Sequence, residues 1–101
     1  MAKREISKAL TLIRRANNDL ELATALLDYR FAIVYVNGEL CILAYGLNKI
    51  AKELGEGLIL SEMKDGNHCK YFDAEFVMNG VKFVEVYISE EFRAEYEEVA
   101  V

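Results

Sequence analysis

The chain has 101 residues, 53 % of them apolar, with 12 Lys and Arg against 17 Asp and Glu for a formal charge of −5. That composition excludes a disordered chain, the length leaves room for one domain, and the acidic balance argues against generic binding to a phosphate backbone, which needs a positive surface. Two cysteines, Cys41 and Cys69, are too few for a disulfide framework and fit free thiols in a reducing cytoplasm.

Residues 3–28 read as one helix. Ile6, Ile13, Leu20 and Leu27 recur every seven residues, and Ala9, Ala16 and Ala23 follow three positions after the first three. This is an a/d-like stripe whose small d residues let another element approach closely. Leu10, Leu12 and Leu26 widen it to a core-facing face. Asn17-Asn18-Asp19 has poor helix propensity, and Asn18 with Glu21 resembles a capping box, but the seven-residue phase crosses the triplet without a slip. Met1-Ala2-Lys3-Arg4 opens a basic run, and Glu5, Ser7 and Lys8 interrupt the apolar stretch that a secretion signal needs.

Residues 31–36 and 39–45 flank Asn37-Gly38, the preferred pair for a type I′ turn because both central residues need positive φ. Pairing across the turn puts Phe31, Ile33, Tyr35, Leu40, Ile42 and Ala44 on one face and Ala32, Val34, Val36, Cys41, Leu43 and Tyr45 on the other. Both faces are apolar, so both should be covered, by this chain or by a second subunit. The longest apolar stretch is too short and too interrupted for a membrane span. Leu47, Ile50, Ala51 and Leu54 then fit one helical face, with Gly55 placed to end the helix.

A three-stranded meander is expected next: residues 58–63, a hairpin turn at Asp65-Gly66, residues 68–78, a second type I′ turn at Asn79-Gly80, and residues 81–88. With those turns Ile59, Phe72, Ala74, Phe76, Phe83 and Tyr87 share the core face, and Leu58, Leu60, Tyr71, Val84, Val86 and Ile88 share the other with Asp73, Glu75 and Lys82. Ser89 stands where an N-cap would begin a terminal helix over residues 90–98, with Phe92, Tyr96 and Val99 inward. Each Asn-Gly hairpin is followed by a helix, a pattern that either an ancient ββα duplication or convergent turn chemistry produces. The expected fold is α+β in the order α-β-β-α-β-β-β-α, a single domain over residues 1–101 with the long N-terminal helix packed on an antiparallel sheet.

No motif for catalysis or for a metal, cofactor or phosphate emerges. His68 is the sole histidine, and its neighbour Cys69 would point to the opposite face of a strand, so the two do not converge on a metal. Cys41 lies among apolar residues and reads as core. Gly55-Glu56-Gly57 lacks the Lys-Ser/Thr that completes a phosphate loop. The expectation is a non-enzymatic chain without cofactor.

Charge is segregated. Arg4, Lys8 and Arg15 share one face of the N-terminal helix, opposite the Ile6 stripe, and Glu91, Glu95 and Glu98 cluster near the C-terminus. Either strip could meet a partner of opposite charge. Clustered glutamates imitate nucleic-acid phosphates, a device of small phage-encoded inhibitors, while direct nucleic-acid binding is not expected of so acidic a chain. The function expected is therefore a small cytoplasmic interaction module, accessory or inhibitory, that binds another macromolecule, and a homodimer is expected from the two-sided apolar strands. The alternative is a small-ligand-binding homo-oligomer with a pocket between subunits lined by Tyr35, Tyr45, Tyr71 and Tyr87.

Overall fold

The computed structural model describes residues 2–26 and 31–101. The chain falls into two compact units, residues 1–31 and residues 32–101.

The first unit is the helix α1 (Lys3–Leu26). It runs unbroken through Asn17-Asn18-Asp19. Asn17 Nδ2 donates to Glu21 Oε1 at 3.4 Å one turn on, so Glu21 serves as an in-helix partner and not as the start of a second helix. The expected end at Asp28 lies outside the described residues. α1 buries none of its residues.

The second unit holds one sheet, whose first strand starts at the boundary residue Phe31. Its strands are β1 (Phe31–Val36), β2 (Glu39–Ala44), β3 (Ile59–Leu60), β4 (Lys64–Asp65), β5 (Lys70–Met78) and β6 (Val81–Ser89), in the spatial order β1-β2-β6-β5-β3, with β4 also on β5. The helix α2 (Leu47–Leu54) follows β2. A 3-10 turn (Glu90–Phe92) and the helix α3 (Arg93–Glu97) follow β6. The α+β class and the element order are as expected, but the sheet is mixed, not antiparallel. β2 and β6 run parallel, with Ile42 opposite Phe83 and Leu43 opposite Val84. Parallel neighbours need a long crossover, and the excursion through α2, β3, β4 and β5 supplies it.

Both Asn-Gly turns form as the dipeptide demands. Asn37 and Gly38 sit at φ 50° and 77°, and Asn79 and Gly80 at 52° and 78°. The two ββα segments nevertheless have opposite hands. β2 and β6 are parallel neighbours, β1 and β5 lie on their outer sides, and α2 and Tyr96 of α3 meet the same Glu85 carboxylate on one face. Copies of one repeat share a hand, so the likeness of the hairpins comes from their turn chemistry and not from duplication.

The Asp65-Gly66 turn is a correction. Asp65 pairs with Lys70, and the loop between them has four residues, closed by Gly66 N–H donating to Cys69 O at 2.8 Å. His68 takes the left-handed conformation at φ 69° and Cys69 is exposed, so both stand in this loop and not on a strand. The longer loop, followed by a one-residue slip between the Lys64–Tyr71 and Leu60–Ala74 pairs, sets Ile59 opposite Glu75 and Leu60 opposite Ala74. That is an odd shift from two-residue pairing, and an odd shift turns every side chain to the other face.

One face of the sheet carries the core. Leu58, Phe72, Ala74, Phe76 and Ile88 of the strands and the segment entering them are buried with Ala44, with Leu47, Ile50 and Ala51 of α2, and with Tyr96 of α3. Phe76 and Phe83 stack at 4.7 Å, and the Phe72 ring meets Tyr96 edge-on at 5.5 Å beneath the Arg93 guanidinium. Glu85 reaches into this face to accept Leu47 N–H at 2.9 Å, filling the first turn of α2 where Gly46 offers no side chain. At the far end Gly55 adopts φ 71°, and Glu56 N–H donates to Ala51 O, closing the helix as its glycine predicts. Ser89 forms no side-chain cap. It ends β6 in extended backbone, and the expected terminal helix begins as the 3-10 turn. The outer edge of the sheet beside Leu58 is covered by the C-terminus, where Leu58 bridges Ala100 in parallel.

Candidate functional site

The second face of the sheet is an open trough of about 420 Å³ that crosses β2, β6, β5 and β3. Its floor follows from strand register. Cys41 and Lys82 share one rung, and Leu43, Val84, Glu75 and Ile59 share the next. Val86, Asp73 and Ser61 close one end, and Val36, Asn37 and Glu39 line the other. Cys41 is 4 % exposed at the base, while Val36, Ile59 and Val86 stand 49 %, 58 % and 42 % exposed. Apolar side chains at such exposure, gathered on one face, depart from the polar exterior of a one-sided sheet.

Acidic groups rim this apolar floor. Glu39 and Glu75 both approach the Lys82 ammonium, at 3.5 and 3.4 Å. The attraction of Glu75 first, and of Glu39 next, holds that ammonium above the usual lysine value. Two carboxylates thus share one cation, leaving a negative surplus. Residues 32–101 as a whole carry thirteen Asp and Glu against six Lys and Arg.

The end of the trough is built on a β-bulge that no sequence rule announced. Between Phe72/Ile88 and Ala74/Glu85 the β5–β6 register slips by one residue, and Tyr87 takes φ 57°, a left-handed conformation uncommon for a bulky side chain. Asp73 fastens it. Its carboxylate accepts Tyr87 N–H at 3.1 Å and pairs with Lys64 at 2.8 Å, a bond that raises the Lys64 pKa. Its backbone N–H donates to Ser61 Oγ at 2.8 Å, and Ser61 N–H returns a bond to Asp73 O. The slip moves Tyr87 off the core face and puts Ile88 there, reversing the expected places of both. Leu58 and Leu60 likewise join the core face and Ile59 leaves it.

The residues singled out in the sequence are distributed as follows. Tyr71 and Tyr87 are brought together, with ring centroids 5.0 Å apart. Tyr35, on β1, alternates to the face opposite Val36 and is 70 % exposed, and Tyr45 beyond β2 is 77 % exposed. Glu91, Glu95 and Glu98 are all exposed. Glu95 and Glu98 share a shallow cleft with Lys49 and Lys52 of α2, so part of this acidic cluster faces cations of its own unit. Arg4, Lys8 and Arg15 are exposed along α1. Among the described residues no group of three or more His, Cys, Asp or Glu is placed to hold a metal ion, and no helix is long and apolar enough to cross a membrane.

Compared with models of protein families, with curated proteins and with solved structures, the chain matches none.

Proposed function

We propose that this chain is a non-enzymatic interaction module that acts by binding another protein, and that the open face of the sheet is where the partner docks. The observation that supports this reading most is the contrast between the two faces of one sheet. One is sealed by α2 and α3, and the other leaves Val36, Leu43, Ile59, Val84 and Val86 around a trough rimmed by Glu39, Glu75 and Asp73. The complementary partner is an amphipathic segment with apolar side chains for the floor and Lys or Arg for the rim, which is how grooves take helices.

A fluorescein-labelled amphipathic Leu/Lys helical peptide serves as the probe, with a Leu/Glu peptide of the same pattern as control. Anisotropy titration should show the Leu/Lys peptide binding and the Leu/Glu peptide not. The double replacement Glu39→Lys with Glu75→Lys, on exposed rim positions, should weaken binding by about tenfold or more. Equal binding of both peptides, or no change in the double variant, would overturn the assignment of this face.

A further inference from the structure

We propose a second surface, independent of the trough: two copies of the chain associate through their α1 helices, paired antiparallel. The seven-residue stripe of α1 is exposed, with Ile6 at 45 % and Ile13 at 63 %. A lone helix gains no stability from an apolar stripe in water until something packs on it.

A second copy of the same helix is the complementary occupant because the stripe is complementary to itself when reversed. Centring two antiparallel helices on Arg14 and Arg15 puts Ile6 of one copy on Ala23 of the other, Ala9 on Leu20, and Ile13 on Ala16. Every layer then joins one large residue to one alanine, and the helices approach closely with neither gap nor clash. A parallel pair would instead alternate layers of two large residues with layers of two alanines, and the alanine layers would leave voids. Leu10 and Leu12, 60 % and 53 % exposed, flank the seam and widen it.

Charge selects the same direction. Residues 3–15 of α1 carry Lys3, Arg4, Lys8, Arg14 and Arg15 against Glu5, and residues 16–26 carry Asp19 and Glu21 with no Lys or Arg. Arg4, Lys8 and Arg15 face away from the stripe and Arg14 meets Arg15 at the centre, so charge acts along the length of the helix: antiparallel pairing sets residues 3–13 of each copy, net +2, beside residues 16–26 of the other, net −2, while parallel pairing sets like charge beside like. The helix dipoles also oppose one another in the antiparallel pair.

The test uses the full chain with Cys41→Ala and Cys69→Ser to remove the native thiols. Chains carrying Ile6→Cys are mixed with chains carrying Ala23→Cys and oxidised. The antiparallel register predicts a disulfide between the two kinds of chain and none within either kind alone. Disulfides within each kind would establish a parallel pair and overturn the proposal. Because a cysteine can weaken the seam, the unmodified chain is also examined by sedimentation at about 100 µM, where a micromolar Kd gives mostly dimer. A dimer that Ile13→Asp converts to monomer supports the proposal, with the strand signal of circular dichroism unchanged. A monomer whose α1 is fully helical overturns it, as does a dimer that Ile13→Asp leaves intact. The Glu39→Lys/Glu75→Lys variant should remain dimeric, so failure of one surface is distinguishable from failure of the other.

Discussion

The carboxylate of Asp73 accepts the backbone N–H of Tyr87 at 3.1 Å, across the point where β5 and β6 slip register. A tyrosine at φ 57° is held against a cost of about 1–2 kcal/mol for the left-handed conformation. Asp73→Ala should therefore lower the unfolding free energy by about 2 kcal/mol in urea titrations. Asp73→Asn should cost less, because the amide oxygen still accepts the N–H and only the exposed Lys64 pair is lost. Equal losses for the two variants would mean that charge, not the pinned N–H, is what Asp73 supplies.

Glu85 links both covering helices to the sheet, accepting Leu47 N–H at 2.9 Å and the Tyr96 hydroxyl at 2.6 Å. Burial raises the Tyr96 pKa well above the usual phenol value, and the hydrogen bond to Glu85 and the negative charges of Glu85 and Glu95 raise it further. The folded chain thus keeps a proton that the unfolded chain loses near pH 10. Unfolding releases that proton at high pH, so the stabilisation is fully present below about pH 10 and is lost as pH rises through the folded-state value above it. Urea titrations in this alkaline window should show stability falling with pH. In Tyr96→Phe the fall should be shallower, with about 1 kcal/mol lost at neutral pH for the missing hydrogen bond. An identical alkaline slope in the variant would contradict this role for Tyr96.

Gly38 and Gly80 hold φ 77° and 78°, and a Cβ added at either meets nothing within 4 Å. Their replacement by alanine tests backbone conformation without steric interference. Gly38→Ala and Gly80→Ala should each cost about 1 kcal/mol by urea titration, and by similar amounts. A much larger loss at one site would show that its turn has packing partners beyond the backbone.

Local chemistry made most of this fold legible. Asn37-Gly38 and Asn79-Gly80 fixed two hairpins, Leu47-Ile50-Ala51 fixed the buried face of α2, and Gly55 fixed its end, because each depends on residues within one turn of one another. Register across longer loops was not legible in the same way. Asp65-Gly66 looks like a two-residue turn, yet a four-residue loop with His68 at positive φ closes there, and a further one-residue slip between the Lys64–Tyr71 and Leu60–Ala74 pairs sends Ile59 to the open face. The bulge at Tyr87 had one faint signal, an aspartate amid the apolar residues of β5. The parallel pairing of β2 with β6 had none, since it depends on where the whole excursion from α2 through β5 delivers the chain. The trough was foreseen only as a second face too apolar to be solvated, and its acidic rim emerges only when Glu39, Lys82 and Glu75 are aligned across three strands.

The most direct test of the trough as the docking face is backbone amide NMR of the chain titrated with the Leu/Lys peptide. The account predicts shifts concentrated at Cys41, Leu43, Ile59, Glu75, Lys82 and Val84. Shifts confined instead to the outer surface of Glu91, Glu95 and Glu98, with the trough amides unmoved, would contradict it and assign partner binding to the acidic C-terminal helix.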